Sequence, residues 1–138
     1  MARFEPESTP LSEPFWEATK SKQLLVQRCD DCGAAVWYPR ERCSSCLGDR
    51  LRWTESSGRG EVYTFNVMHK RANPMLADEA PYVLALVDLD DGYRVATNVV
   101  GCPPADVRCG LRVEVAWDVE LSDGRHLPVF QPSDATPR

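Results

Sequence analysis

Strict alternation marks the C-terminal third of the chain. Leu111, Val113, Val115 and Trp117 take every second place, with Arg112, Glu114, Ala116 and Asp118 between them. Successive side chains of a strand point to opposite faces, so this period predicts a half-exposed strand with the apolar set inward. Residues 61–69 repeat the theme, with Tyr63, Phe65 and Val67 on one side. Residues 82–89 form a nearly unbroken apolar run of the length of a buried strand. Asp90, Asp91 and Gly92 give a turn signal that joins it, as a hairpin, to a strand over 93–100. After the turn at Ser122, Asp123 and Gly124, residues 127–130 predict a last strand at a sheet edge, where Pro128 is permissible. Short strands of this kind, five in number with no strong helix between them, predict a mainly β protein. The expected form is a small Greek-key barrel of the OB type, with a small sandwich as the alternative. Residues 70–81 are then the longest inter-strand loop, and long loops frequently carry function.

The N-terminal part reads differently. Residues 1–11 are acidic and broken by proline, and are expected to be mobile. Ser12 is placed to cap a short helix over 13–22, with Pro14 tolerated in its first turn. Phe15 and Trp16 give that helix one apolar side, which docks either on the protein's own core or on another subunit. Residues 23–28 predict a strand, 36–40 a return limb bearing Trp37 and Tyr38, and 51–53 a segment leading away. The four pieces expected are a tail and helix (1–22), a ribbon (23–56), a barrel (57–132) and a disordered tail (133–138).

Between the first strand and the exit segment lie Cys29 and Cys32, then Cys43 and Cys46, two Cys-x-x-Cys pairs ten residues apart. Each pair can aim two thiolates at one point, and four sulfurs suit a closed, tetrahedral, structural Zn2+ site. Gly33 follows the first pair and can take the positive φ such a knuckle needs, whereas Leu47 precedes Gly48 after the second. Two disulfides in a secreted protein, or a redox Cys-x-x-Cys, are the competing readings; the second is weakened by the lack of a surrounding βαβ pattern. Cys102 and Cys109, in apolar settings, are expected to be buried free thiols.

Charge and length then narrow the function. With 138 residues and a net charge of −5, the chain suits one modest core and disfavours a broad nucleic-acid-binding face. Tyr63, Phe65 and Trp117 as stacking platforms would favour a nucleic-acid module, but their alternation reads first as core. Arg40, Arg42, Arg50, Arg52 and Arg59 crowd the ribbon and its exit, a local basic patch for phosphates or for a partner's carboxylates. The opening residues lack the apolar region of a signal peptide, and no run approaches a membrane span. A cytoplasmic location, with reduced thiols and no membrane, is the expectation. His69 and His126 are the two histidines, no Gly-x-Ser-x-Gly turn is present, and a four-sulfur site leaves no position for a reactive water.

Taken in order, these segments resemble a known family. They are Gln27 to Cys29, Cys32 with Gly33, Tyr38 to Arg40, Cys43 with Cys46, Ser57 to Tyr63, Pro81 with Tyr82, Leu89 to Gly92, and Leu127 to Phe130. The family is the acyl-CoA-associated zinc-ribbon and OB-fold proteins, long catalogued as a domain of unknown function. Cys109 stands where a hydrophobic residue is usual, and Gly48 is displaced by one. The resemblance implies an N-terminal helix and rubredoxin-like zinc ribbon followed by the barrel. It also implies a non-catalytic companion, in a hetero-oligomer, of thiolase-superfamily enzymes acting on acyl-CoA thioesters: thiolases, acyltransferases or lipid-transfer-protein-like aldolases. In actinobacteria a similar domain is fused to a MaoC-type hydratase subunit in steroid side-chain degradation, part of cholesterol catabolism. There it partners an aldolase that cleaves a side-chain CoA thioester to a 17-keto steroid and propionyl-CoA. The abrupt acidic start fits such a domain excised from a longer polypeptide. For CoA phosphates the candidates are Arg59, Lys70, Arg71 and Arg94, against the reading of ordinary surface charge. For a partner interface they are Phe15, Trp16, Trp37 and Tyr38.

Overall fold

Two prolines, Pro6 and Pro10, and a serine–threonine pair shape the first described stretch of the chain, which leads into helix α1 (Glu13–Lys20). The computed structural model of the protein describes residues 5–69 and 81–133. Ser12 makes no side-chain cap to α1. It exchanges hydrogen bonds with Thr9 instead, the Thr9 N–H donating to its Oγ (3.0 Å) and its own N–H to Thr9 Oγ1 (3.2 Å). The helix ends before the expected residue 22 because Lys22 turns to a left-handed φ of 59°. The Gln23 N–H then closes back on the Ala18 carbonyl (3.0 Å). Phe15 and Thr19 are the buried face of α1.

Three antiparallel strands follow, β1 (Leu25–Cys29), β2 (Ala35–Val36) and β3 (Leu51–Glu55), in the order β2-β1-β3. β3 pairs along the whole of β1, from Leu25 opposite Glu55 to Cys29 opposite Leu51, rather than simply leading away.

The remaining strands close a barrel: β4 (Arg59–Met68), β5 (Tyr82–Leu89), β6 (Arg94–Val99), β7 (Arg112–Glu120) and β8 (His126–Pro132). Their order is β4-β5-β6-β8-β7, and β7 returns to β4 through Gly60 opposite Val113, so the sandwich alternative falls. β8 is not an edge strand. It lies between β6, which it meets in parallel at Val99 and Phe130, and β7. Pro128 is accommodated there with its carbonyl accepting from Thr97 Oγ1 (3.2 Å).

A register shift in β4 between Val62 and Thr64 corrects the expected inward set. One extra residue flips the alternation, so Val62 is buried before the bulge and Phe65 and Val67 pack on the core after it. Tyr63 is left outside, 52% exposed. In β5 the buried places are Val83, Ala85, Val87 and Leu89, and Leu84 is exposed. In β7 Val113 is fully buried, and Ala116, expected outward, is buried too because the register with β8 shifts between Ala116 and Val119. Val115, Trp117 and, just before the strand, Leu111 pack against the core from partly buried positions.

Phe15, Leu24 and Val26 belong to the same buried cluster as Val87, Val113 and Phe130, so helix, ribbon base and barrel share one core. His126 fastens the helix to β8. Its N–H donates to Thr19 Oγ1 (3.1 Å), and its ring Nδ1 lies 2.8 Å from the Thr19 carbonyl. Truncating Val113, which has no exposed surface, to Ala should cost roughly 1–3 kcal/mol through lost burial and a cavity, read as a shift in the urea midpoint. No described helix is long and apolar enough to cross a membrane.

Candidate metal centre

Two turns of the same design carry the paired cysteines. In the first, the Gly33 N–H donates to the Cys29 carbonyl (2.9 Å) with φ of 76° at Gly33. In the second, the Leu47 N–H donates to the Cys43 carbonyl (3.0 Å), and Leu47 itself takes the left-handed φ, 65°. The glycine that seemed displaced by one has another duty. A Cβ on Gly48 would lie 2.6 Å from Asp31 Oδ2 and 3.3 Å from Cys46 Sγ, so a side chain there would displace the Asp31 carboxylate and crowd the Cys46 sulfur.

The sulfurs of Cys29, Cys32, Cys43 and Cys46 all lie within 4.8 Å of one another. Cys29 and Cys46 are 3.6 Å apart at sulfur, as are Cys32 and Cys43. A tetrahedral ion with metal–sulfur bonds of about 2.3 Å needs sulfurs about 3.8 Å apart, whereas a disulfide needs about 2.0 Å. All six cysteines are free thiols, so the disulfide reading falls. Backbone N–H groups point at the sulfurs: Asp31 to Cys29 (3.4 Å), Ser45 to Cys43 (3.3 Å) and Gly48 to Cys46 (3.4 Å). The N–H groups of Cys46 and then Ser45 draw the Cys43 thiol down to about 6. Cys46 is drawn down by the Gly48 N–H, but Cys29, Cys32, burial and Cys43 outweigh it and push the thiol up to about 12. Without a cation, then, the crowded sulfurs do not all ionise together. The donor set fits a thiophilic, tetrahedral metal, and among the described residues the group consists of these four sulfurs.

Ion pairs brace the outside, Arg50 with Asp31 and Arg52 Nε with Asp30 Oδ1 (2.5 Å). The Arg50 guanidinium holds the Asp31 carboxyl below its usual range. Leu47 is 70% exposed on this tip. Because a left-handed β-carbon residue carries roughly 1–2 kcal/mol of strain and glycine loses about 0.5–1 kcal/mol in entropy, Leu47→Gly should stabilise the metal-loaded ribbon by about 0.5–1 kcal/mol. A rise in melting temperature is the expected reading.

The metal knuckle is tied to the barrel. Arg28 donates through Nη1 to the Gly33 carbonyl (2.8 Å) and through Nη2 to the Asp91 carbonyl (3.1 Å). The Asp91 carboxylate accepts from the Ser57 N–H (2.9 Å), Ser57 Oγ (2.5 Å) and Ser56 Oγ (3.2 Å). Tyr93, whose phenol burial pushes up to about 12, donates its hydroxyl to Ser56 Oγ (2.8 Å). Asp91 announced itself in the sequence as a turn residue; nothing local signalled serines more than thirty places upstream.

The other candidates scatter. Phe15 is 5% exposed and belongs to the chain's own core, so it is not a surface anchor. Trp16 and Trp37 pack partly buried against that core, and Tyr38 is 56% exposed. Arg94 is engaged: it donates to Asp88 through Nε (2.5 Å) and Nη2 (3.1 Å), and its guanidinium lies 3.6 Å over the Tyr63 ring. Arg59 is exposed at the start of β4, and Lys70 and Arg71 lie outside the described residues. Cys109 is exposed rather than buried, and Cys102 is partly buried. His69 is exposed.

Two family models match this chain in succession: the rubredoxin-like zinc ribbon domain of ChsH2 over residues 16–52, and the C-terminal OB-fold domain of ChsH2 over residues 53–118. A "Probable enoyl-CoA hydratase alpha subunit" of Thermomonospora curvata is 38% identical over 120 residues, 86% of this chain and 37% of that protein. The "DUF35 domain-containing scaffold protein" of Methanocaldococcus jannaschii is 34% identical over 111 residues, covering 79% of this chain and 78% of that protein. The "3-oxo-4,17-pregnadiene-20-carboxyl-CoA hydratase alpha subunit" of Mycobacterium tuberculosis is 30% identical over 122 residues, 84% of this chain and 36% of that protein. This chain thus spans little more than a third of the two hydratase subunits. Among solved structures, a chain of the "Ltp2-ChsH2(DUF35) aldolase" superposes with a TM-score of 0.81 at 35% identity, over 93% of this chain and 98% of that one.

Proposed function

This chain belongs to the DUF35 family, a ChsH2-like zinc ribbon joined to an OB-fold barrel, and on that premise we propose that it is a non-catalytic subunit of a thiolase-like enzyme acting on acyl-CoA thioesters. The observation that carries the reading is the likeness, over nearly its whole length, to the DUF35 chain of an aldolase. The proposed reaction is retro-aldol cleavage of a β-hydroxyacyl-CoA, with the acid and base supplied by the partner. A steroid side-chain thioester that releases propionyl-CoA is the preferred substrate, a choice supported by the pregnadiene-carboxyl-CoA named for the mycobacterial relative. The chemistry of this chain's own residues suits a supporting role: His126 spends its ring nitrogen on Thr19, and Ser56 lies under Tyr93.

Cys29, Cys32, Cys43 and Cys46 would hold structural Zn2+ as thiolates, with no exchangeable water. The ion would supply rigidity rather than Lewis acidity toward substrate. Tyr38, with Trp37 and Trp16 behind it, is the proposed partner-facing surface. Arg59 is retained for CoA phosphates together with Lys70 and Arg71, and Arg94 is set aside because Asp88 holds it. A cytoplasmic complex, with a MaoC-type hydratase as a further associate, completes the reading.

The test is to assay cleavage of a β-hydroxyacyl-CoA by this chain, by a thiolase-like partner, and by both together. Only the pair should release the shorter acyl-CoA, and the two should co-purify. Turnover by this chain alone, or full activity of the partner without it, would overturn the proposal.

A further inference from the structure

A cavity of about 480 Å³ opens between α1, the return limb of the ribbon, and the barrel wall of β6 and β8. Its walls include Trp16, Trp37, Tyr38, Leu127 and Phe130. Here the aromatic walls brace one another, with ring centroids 5.0 Å apart for Phe15 and Trp16, 5.2 Å for Phe15 and Trp37, and 5.5 Å for Trp37 and Tyr93. The Arg125 guanidinium, 5.2 Å over Trp16, holds the outer wall.

Most polar groups at this space are already committed, the exception being the buried Trp37 indole N–H, which has no partner among the described residues and leaves one donor for an uncharged acceptor such as a hydroxyl. Thr9 and Ser12 bond each other, and Thr97 Oγ1 donates to the Pro128 carbonyl. Arg125 is taken by Asp123 Oδ2 (2.6 Å) and by the Pro6 carbonyl (2.9 Å). The carboxylate in the lining is Glu7, which disfavours an anion. The N-terminal segment forms a strap along the cavity, with its Pro6, Glu7 and Thr9 in the lining. It is tied down at Glu5, which accepts from the Ser122 N–H (2.8 Å) and Oγ (2.7 Å), and at its far end by the Thr9–Ser12 pair. This segment already lines the space that a partner's helix or strand would have to enter, which favours a small molecule. The volume falls in the range of small-molecule sites, about 300–1,000 Å³.

We propose that this cavity binds a small, neutral, apolar molecule, a fused-ring or aliphatic hydrocarbon body without an anionic head, beneath the N-terminal strap. The site shares Trp16, Trp37 and Tyr38 with the proposed partner-facing surface but is formed by this chain's own residues, so binding by the free chain tests it separately from the partner reading.

The full chain is titrated with 1-aminoanthracene, reading probe emission and energy transfer from tryptophan. One saturable site is expected. Dodecanol should displace the probe, and dodecanoate, of equal length but charged, should do so roughly tenfold less well. Ala96→Trp, placed at an exposed position of β6 that lines the cavity, should weaken probe binding roughly tenfold at unchanged melting temperature. If that variant does not fold, Glu5→Ala serves instead: loosening the strap should speed probe dissociation several-fold, read by stopped flow. No saturable binding by folded protein, equal displacement by dodecanoate, or wild-type binding and release in the variants would each overturn the proposal. So would a stable dimer of the free chain that excludes the probe and dissociates in Ala96→Trp, which would make a second copy the occupant.

Discussion

Removing the metal with a strong chelator should unfold the ribbon between about residues 29 and 51 while the barrel stays closed. The second buried cluster of the molecule consists of Cys29, Val36 and Cys43, with Ala34 and Leu51 packed against it. Burying a large aliphatic side chain contributes about 1.5–3 kcal/mol, and ordering each residue's backbone costs about 1–2 kcal/mol. So few side chains cannot hold the two knuckles in place by themselves, although Trp37 between them packs on the main core. A bound structural zinc contributes about 10–16 kcal/mol at neutral pH, enough to reverse that balance. The barrel has its own core in Val87, Val95, Val113 and Phe130, and Val26 at the base of the ribbon belongs to it. Amide exchange should therefore accelerate by orders of magnitude at Cys29 to Ala35 and Cys43 to Leu51 on chelation, and far less in β5 and β7. Cys43→Ser should reproduce the pattern without chelator. Because the ligands must be thiolates, acid should release the metal too: affinity falls as pH drops and protons compete for sulfur. Unchanged protection in the ribbon after full metal removal would refute the assignment of Cys29, Cys32, Cys43 and Cys46.

Local patterns were legible along this chain wherever a single segment decides its own structure. The spacing of Cys29, Cys32, Cys43 and Cys46 sets four sulfurs in reach of one point, and the alternation places Val113 inward, though it fails at Ala116, which is buried next to a register shift. The Asp90–Gly92 signal turns β5 into β6. What stayed hidden depends on pairing between distant segments. Tyr63 was misplaced because a bulge exists only relative to the partner strand, and Val62 and Thr64 carry no mark of it. β8 was read as an edge because its parallel neighbour β6 is far away in sequence. Phe15 could face inward or outward by its own helix; His126 and Thr19, over a hundred residues apart, decide the matter by clamping α1 onto the barrel. The cavity under the strap escaped for the same reason, since its walls come from three separate elements.

Asp91→Ala should destabilise the protein by roughly 3 kcal/mol, since hydrogen bonds to a charged group contribute about 1.5–3 kcal/mol each and the buried Ser56 hydroxyl loses its acceptor. The carboxylate collects the Ser57 N–H and the hydroxyls of Ser56 and Ser57 at the junction where β3 leaves the ribbon and β4 enters the barrel. Part of each contact is open to water, which keeps the sum below three full charge-assisted bonds. The Tyr93 hydroxyl feeds the same Ser56 oxygen from a buried position. Tyr93→Phe alone should cost about 1 kcal/mol. The two changes share Ser56, so the double variant should lose less than the sum of the single ones, a coupling that distant sites do not show. Asp91→Asn keeps one carbonyl oxygen as acceptor and should fall between wild type and alanine. Arg28 reaches the backbone carbonyl of Asp91 rather than its side chain, so the link from metal knuckle to hairpin survives the substitution. Ribbon and barrel should then still unfold together, at a lower urea midpoint. An Asp91→Ala protein as stable as wild type would mean that the junction is held by the shared core of Phe15, Leu24 and Val26 alone. In that case the carboxylate would not set how the ribbon, and the Tyr38 surface it carries, is presented to a partner.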